Sequence, residues 1–113
     1  MANPGGLGRI VRDEQGAFQA IVEQQDATSD QEAINEVNMS TYLFDACQLR
    51  SALARLDRGN SQSEYYLTDC PGILKSDGHQ VTALDLLKPC EGLSVNTKEQ
   101  LLEVEMVMKR MGY

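Results

Sequence analysis

Basic charge, histidine and paired cysteine are all scarce in this 113-residue sequence, and each shortage argues against a class of function. Ten Lys and Arg stand against seventeen Asp and Glu, a net charge of −7, so the average field repels nucleic acid and anionic membrane alike. Any phosphate ligand must be held locally. The single histidine, His79, lies in the turn-like run Ser76-Asp77-Gly78-His79, which places it at the surface and leaves a histidine triad or metal cluster little to build on. Cys47, Cys70 and Cys90 are odd in number, widely spaced and without a Cys-x-x-Cys, arguing against a disulfide framework or zinc site and for reduced, partly buried thiols. No apolar run approaches a membrane span. Met1-Ala2-Asn3-Pro4-Gly5-Gly6 has neither a basic region nor an apolar stretch, so no signal peptide is expected and the cytoplasm is the expected compartment. A P-loop and the patterns Gly-x-Gly-x-x-Gly, Gly-x-Ser-x-Gly and His-Glu-x-x-His are also missing.

What remains is the material of one globular domain over residues 1–113, since 42% hydrophobic and 24% charged residues argue against long disorder. Arg9-Ile10-Val11-Arg12 and Ala17 to Glu23 read as two strands of a hairpin around the turn Asp13-Glu14-Gln15-Gly16. Gln24 to Asn35 reads as a surface connection with a short helix beginning at Ser29 or Asp30. Thr41-Tyr42-Leu43-Phe44 has buried-strand character, and Asp45 can cap a helix carrying Cys47, Leu49, Leu53 and Leu56 as far as Gly59-Asn60. Gln80 to Leu84 alternates like a half-buried strand. Thr97-Lys98-Glu99-Gln100 has capping-box spacing ahead of an apolar stripe at Leu101, Val104, Met108 and Met111, a pattern of core or contact surface. These elements predict an α/β or α+β domain with helices packed on a small mixed sheet.

Asn60 to Asp69 draws attention because a polar turn runs through Tyr65-Tyr66-Leu67, with strand preferences, into Thr68-Asp69, either of which can cap a helix bearing Ile73 and Leu74. A strand end feeding a helix start gathers hydroxyls, a carboxylate and free N–H groups, which suits a polar ligand such as a sugar phosphate. The same pattern serves equally as an ordinary junction whose tyrosines pack and whose Asp caps.

No single motif is specific, but an ordered set is. Gly6-Leu7-Gly8-Arg9-Ile10, Ile21-Val22-Glu23 with Asp26-Ala27-Thr28, Glu36-Val37-Asn38, Glu64 to Asp69, and Val95-Asn96 with Gln100-Leu101 follow one another along the chain. That series resembles the sugar-nucleotide pyrophosphorylases, most closely their N-acetylglucosamine-1-phosphate uridyltransferases. The resemblance covers nearly the whole chain yet only the C-terminal half of that family's nucleotidyltransferase domain. It implies half of a Rossmann-like nucleotidyltransferase domain, without the front half that carries a Gly-rich nucleotide loop, a lysine and a magnesium-holding aspartate.

The resemblance also implies roles. Gly8 lets backbone approach the sugar, Glu23 and Asn38 bond its hydroxyl or N-acetyl groups, Tyr66 and Thr68 line the sugar-phosphate pocket, and Asn96 supplies one ligand to a magnesium cofactor. Each role is chemically apt: glycine removes a side chain, carboxylate and amide match sugar donors and acceptors, and an amide oxygen is a hard ligand. Each residue also has a structural alternative. Gly8 serves as a turn or bulge, Glu23 as a strand end, Asn38 in a local backbone bond, Tyr66 in packing, Thr68 and Asn96 as helix caps. Where the family commonly has Asn-x-Gly, this chain has Asn38-Met39-Ser40, a side chain where close approach is needed. The implied substrates are a sugar-1-phosphate and UTP, and no protein nucleophile is required. With the nucleotide-binding half missing, the chain alone is expected to be inactive. A homodimer or a complementary N-terminal half is the expected partner, because half a sheet leaves an unpaired strand edge.

Overall fold

A computed structural model describes residues 6–113, so the stretch Met1 to Gly6, read as no signal peptide, lies outside the described residues except for Gly6. The hairpin forms as its sequence predicts. Strand β1 (Arg9–Arg12) pairs antiparallel with β2 (Phe18–Val22), Ile10 opposite Ile21, with an irregularity between Val11 and Arg12. Its turn is held by Asp13, whose Oδ1 accepts from the N–H groups of Gln15 (3.0 Å) and Ala17 (2.9 Å). Gly16 adopts φ +81°, a left-handed conformation that side chains disfavour.

A 3₁₀ turn at Gln24–Asp26 leads into α1 (Ser29–Glu32), which begins at Ser29 and is capped by Thr28. Thr28 Oγ1 accepts from Gln31 N–H at 3.3 Å while Gln31 Oε1 accepts from Thr28 N–H at 2.9 Å, a reciprocal box that satisfies two otherwise unpaired donors. Helix α2 (Ala46–Leu53) is capped by Asp45, whose Oδ1 accepts from Gln48 N–H at 2.9 Å. It ends at Leu53, short of Gly59, and Leu56 packs from the following turn. Helix α3 (Cys70–Ser76) follows a 3₁₀ turn at Leu67–Asp69, and a third 3₁₀ turn at Pro89–Gly92 precedes α4 (Lys98–Arg110). The predicted box opens α4, with Gln100 N–H donating to Thr97 Oγ1 at 3.2 Å and Thr97 N–H to Gln100 Oε1 at 3.0 Å.

The domain is mixed α/β, with four α-helices and a two-stranded antiparallel sheet among the described residues. Four local expectations are corrected. Thr41–Phe44 and Gln80–Leu84 run without strand pairing, since a strand needs a neighbour's backbone as well as its own pattern, and among the described residues neither finds one. Tyr65-Tyr66-Leu67 does not end a strand, and Leu67 already belongs to the 3₁₀ turn. Neither Thr68 nor Asp69 caps α3 through its side chain.

Two small cores hold the domain. Ile10, Phe18 and Ile21 form one, with Tyr42, Val81 and Ala83 against it. Ala52, Cys70 and Leu74 form the other, with Phe44, Leu49, Leu56, Ile73 and Val81 around it. Tyr42 and Phe44 stack at 5.5 Å, joining the two through aromatic contact. The α4 stripe joins neither, and Leu101, Met108 and Met111 are exposed. All three cysteines are free thiols, Cys70 buried, and burial pushes its thiol above the usual range. His79 is exposed. No helix among the described residues is long and apolar enough to cross a membrane.

Candidate functional site

Four of the six residues singled out in the sequence are linked where β2 ends. Gly8 is buried beside β2, and a Cβ there would meet Val22 O at 3.3 Å, Ile21 Cγ2 at 3.4 Å and Glu23 Oε2 at 3.5 Å. Its missing side chain therefore lets the backbone lie against Glu23. Gly8 O accepts from Asn38 N–H at 2.9 Å, and Thr68 Oγ1 donates to Glu23 Oε1 at 2.8 Å. Residues far apart in sequence thus meet because the hairpin, the 36–38 segment and the 3₁₀ turn before α3 converge.

Arg9 anchors that convergence. Buried at the start of β1, it donates to Leu7 O and, through Nη2, to Glu32 O at 3.3 Å, drawing α1 toward the strand. Arg9 also forms an isolated antiparallel bridge with Val37. Asn38 is thereby carried to Gly8 by a third extended segment laid against β1.

Tyr66 lies two residues before Thr68, and its Oη accepts from Gln62 Nε2 at 2.8 Å. Burial pushes its phenol above the usual range, with Asp26 adding to the shift. Asp26 Oδ1 accepts from Ser61 N–H at 2.8 Å, fastening the 60–64 loop to the 3₁₀ turn after β2, and that bond holds the Asp26 carboxyl below the usual range. Asp69 moves the other way, raised first by burial and then by the negative charges of Asp57, Asp26 and Glu23. The carboxylates of Asp26, Asp57, Asp69 and Glu23 gather on this side of the site, which favours the hydroxyl and N–H donors of a sugar ring.

Asn96 is not part of this group. It is exposed at the entry to α4, its N–H donates to Gln100 Oε1 at 2.7 Å, and no hydrogen bond joins it to Glu23, Asn38 or Thr68 among the described residues. Nor do the described residues supply a group of three or more His, Cys, Asp or Glu able to hold a metal ion. One amide oxygen does not fit a magnesium site by itself, because the ion needs near-octahedral oxygen ligation and carboxylate charge.

Sequence reasoning overlooked Tyr42, whose Oη accepts from Asn38 Nδ2 at 2.8 Å. It also missed Asp26 as the tether of the 60–64 loop, although Asp26 belongs to one of the matched segments. A spacing of four in an extended segment carries no periodic signal, and the Asp26–Ser61 bond spans 35 residues. Beside Asn38 opens a cleft of about 1340 Å³, lined by Ile10, Phe18, Tyr42, Val81, Ala83 and Leu84 among others. Its walls include both unpaired extended segments.

Comparison with known proteins identifies close relatives. The Bifunctional protein GlmU of Alkaliphilus oremlandii is 46% identical over 110 residues, which is 97% of this chain and 24% of the relative. That of Limosilactobacillus fermentum is 44% identical over 108 residues, 96% of this chain and 24% of the relative. That of Corynebacterium glutamicum is 47% identical over 108 residues, 96% of this chain and 22% of the relative. The chain therefore spans about a quarter of the length of the curated relatives it matches. No family model matches it.

Proposed function

We propose, this chain being a partial GlmU-like domain, that it is the sugar-binding half of an N-acetylglucosamine-1-phosphate uridyltransferase unit acting in the cytoplasm. The observation that carries this reading is the linkage of Gly8, Glu23, Asn38 and Thr68 at one end of the hairpin. Glu23 and Asn38 bond the sugar's hydroxyl or acetamido groups, Gly8 leaves room for close approach, and Tyr66 and Thr68 line the pocket. In the complete reaction a sugar-1-phosphate oxygen attacks the α-phosphorus of UTP, pyrophosphate leaves, and UDP-N-acetylglucosamine forms. Such a step needs no protein nucleophile, only alignment of two anions and stabilisation of the charge that develops.

The acidic surroundings of the four residues support a division of labour. They suit the sugar ring, whereas the phosphates require cationic groups from elsewhere, so the chain alone does not turn over. We assign a complementary N-terminal half as the partner, a reading supported by the cleft and its two unpaired segments, because added strands would satisfy open backbone groups. The test is to incubate the purified chain with UTP, magnesium and N-acetylglucosamine-1-phosphate and follow pyrophosphate. Efficient turnover would refute the need for a second half. NMR titration with the sugar phosphate alone should shift the resonances of Glu23, Asn38 and Thr68.

A second reading is favoured by the exposed stripe of α4 and the apolar cleft: a non-catalytic module that associates with itself or another protein. A site that stays silent in the titration, together with dimer formation in light scattering, favours this second reading.

A further inference from the structure

The geometry points to Tyr42 as a positioning residue that fixes the orientation of the Asn38 side-chain amide at the sugar site. This inference rests on the sugar-binding reading above. Asn38 is held at both ends of its amide. Ser40 N–H donates to Oδ1 at 3.2 Å, and because a backbone N–H requires an acceptor, the carbonyl end must face Ser40. The NH₂ end therefore faces Tyr42, whose Oη accepts from Nδ2 at 2.8 Å.

An amide carries two N–H donors and two acceptor lone pairs. One of each is used inside the protein, leaving one donor and one acceptor whose directions are set. That is the complement needed by a sugar hydroxyl or an acetamido group, each of which offers both functions.

Tyr42 is well placed to hold the amide in the orientation that Ser40 sets. Its ring stacks on Phe44 and packs against the Ile10, Phe18 and Ile21 cluster, so the hydroxyl projects from a fixed base. Burial raises its phenol above the usual range, with the nearby Glu23 charge adding to the shift. Without the hydroxyl, only the longer Ser40 bond would restrain the amide, which could then turn about its terminal torsion.

Tyr42→Phe keeps the ring and removes only the oxygen. In the ligand-free chain, the side-chain amide NMR signals of Asn38 should shift while the rest of the spectrum stays close to wild type. With N-acetylglucosamine-1-phosphate as probe, Tyr42→Phe should bind about five- to tenfold more weakly, the loss of roughly one hydrogen bond's contribution. The same substitution in an Asn38→Ala background should add nothing, because residues acting through one another are non-additive.

Unchanged Asn38 amide signals in free Tyr42→Phe would overturn the assignment, whether or not ligand binds. So would equal binding losses in the wild-type and Asn38→Ala backgrounds, which would make Tyr42 only a packing residue. A wild-type chain that binds no sugar phosphate while the amide signals do shift would leave the Tyr42–Asn38 bond standing and remove the sugar-binding reading.

Discussion

Ser40 occupies the left-handed region at φ +55°, where a side chain is crowded against its own backbone. Its position is the one at which the family pattern commonly carries glycine. Ser40→Gly should therefore raise stability by about 0.5–1 kcal/mol, since the N–H that Asn38 accepts is retained while the crowding is relieved. A thermal melt should show Tm rising by a few degrees, and a fall would show that the serine side chain contributes more than its strain costs. The missing glycine was legible in Asn38-Met39-Ser40, although the backbone angle that makes it matter was not. The union of Thr68 with Glu23 was equally hidden, because a hydrogen bond across 45 residues depends on how the hairpin meets α3. Residue identity declares the available chemistry, and only the chain's path decides which groups share it.

Between elements, Arg12 makes an extensive polar connection. Its guanidinium donates to Glu36 through Nε (2.7 Å) and Nη2 (2.6 Å), to Ala83 O at 3.0 Å and to Gly16 O at 3.0 Å. One side chain thus ties β1, the hairpin turn, the 36–38 segment and the 80–84 segment. Hydrogen bonding to Arg12 holds the Glu36 carboxyl below its ordinary value near 4.5. With a folded value below the unfolded one, the contribution is present above the ordinary value and is lost as pH falls through the folded value. Glu36→Gln should cost on the order of 1 kcal/mol at pH 7, and the difference from wild type should shrink below about pH 4. Chemical denaturation at both pH values checks this, and a gap of equal size at each would remove the ion pair as its source. Element types were largely readable. Asp45 and the Thr97 box marked helix starts, and Asp13 with Gly16 marked the hairpin. The segments at 41–44 and 80–84 were misjudged because a β-rich run or an alternation reports burial and face, not whether another strand lies beside it.

At the scale of the whole molecule, the surface carries more apolar side chain than two small cores can recruit. Leu43, Leu84 and Leu86 are 101%, 69% and 75% exposed, and the outward stripe of α4 adds to them. Apolar exposure on this scale draws a partner or promotes self-association. Light scattering of the isolated chain should show mass growing with concentration, and adding an N-terminal nucleotidyltransferase half should suppress that growth while raising Tm through binding linkage. A strictly monomeric chain at high concentration would count against both. The helical stripe itself was visible in the sequence, but periodicity cannot distinguish a face that meets the core from one awaiting another surface. Val81, meanwhile, belongs to both apolar clusters. The hairpin and the α2–α3 pair are consequently yoked by a shared aliphatic pin, so heat should melt them in a single cooperative step, and loosening either one leaves the other without its fastening.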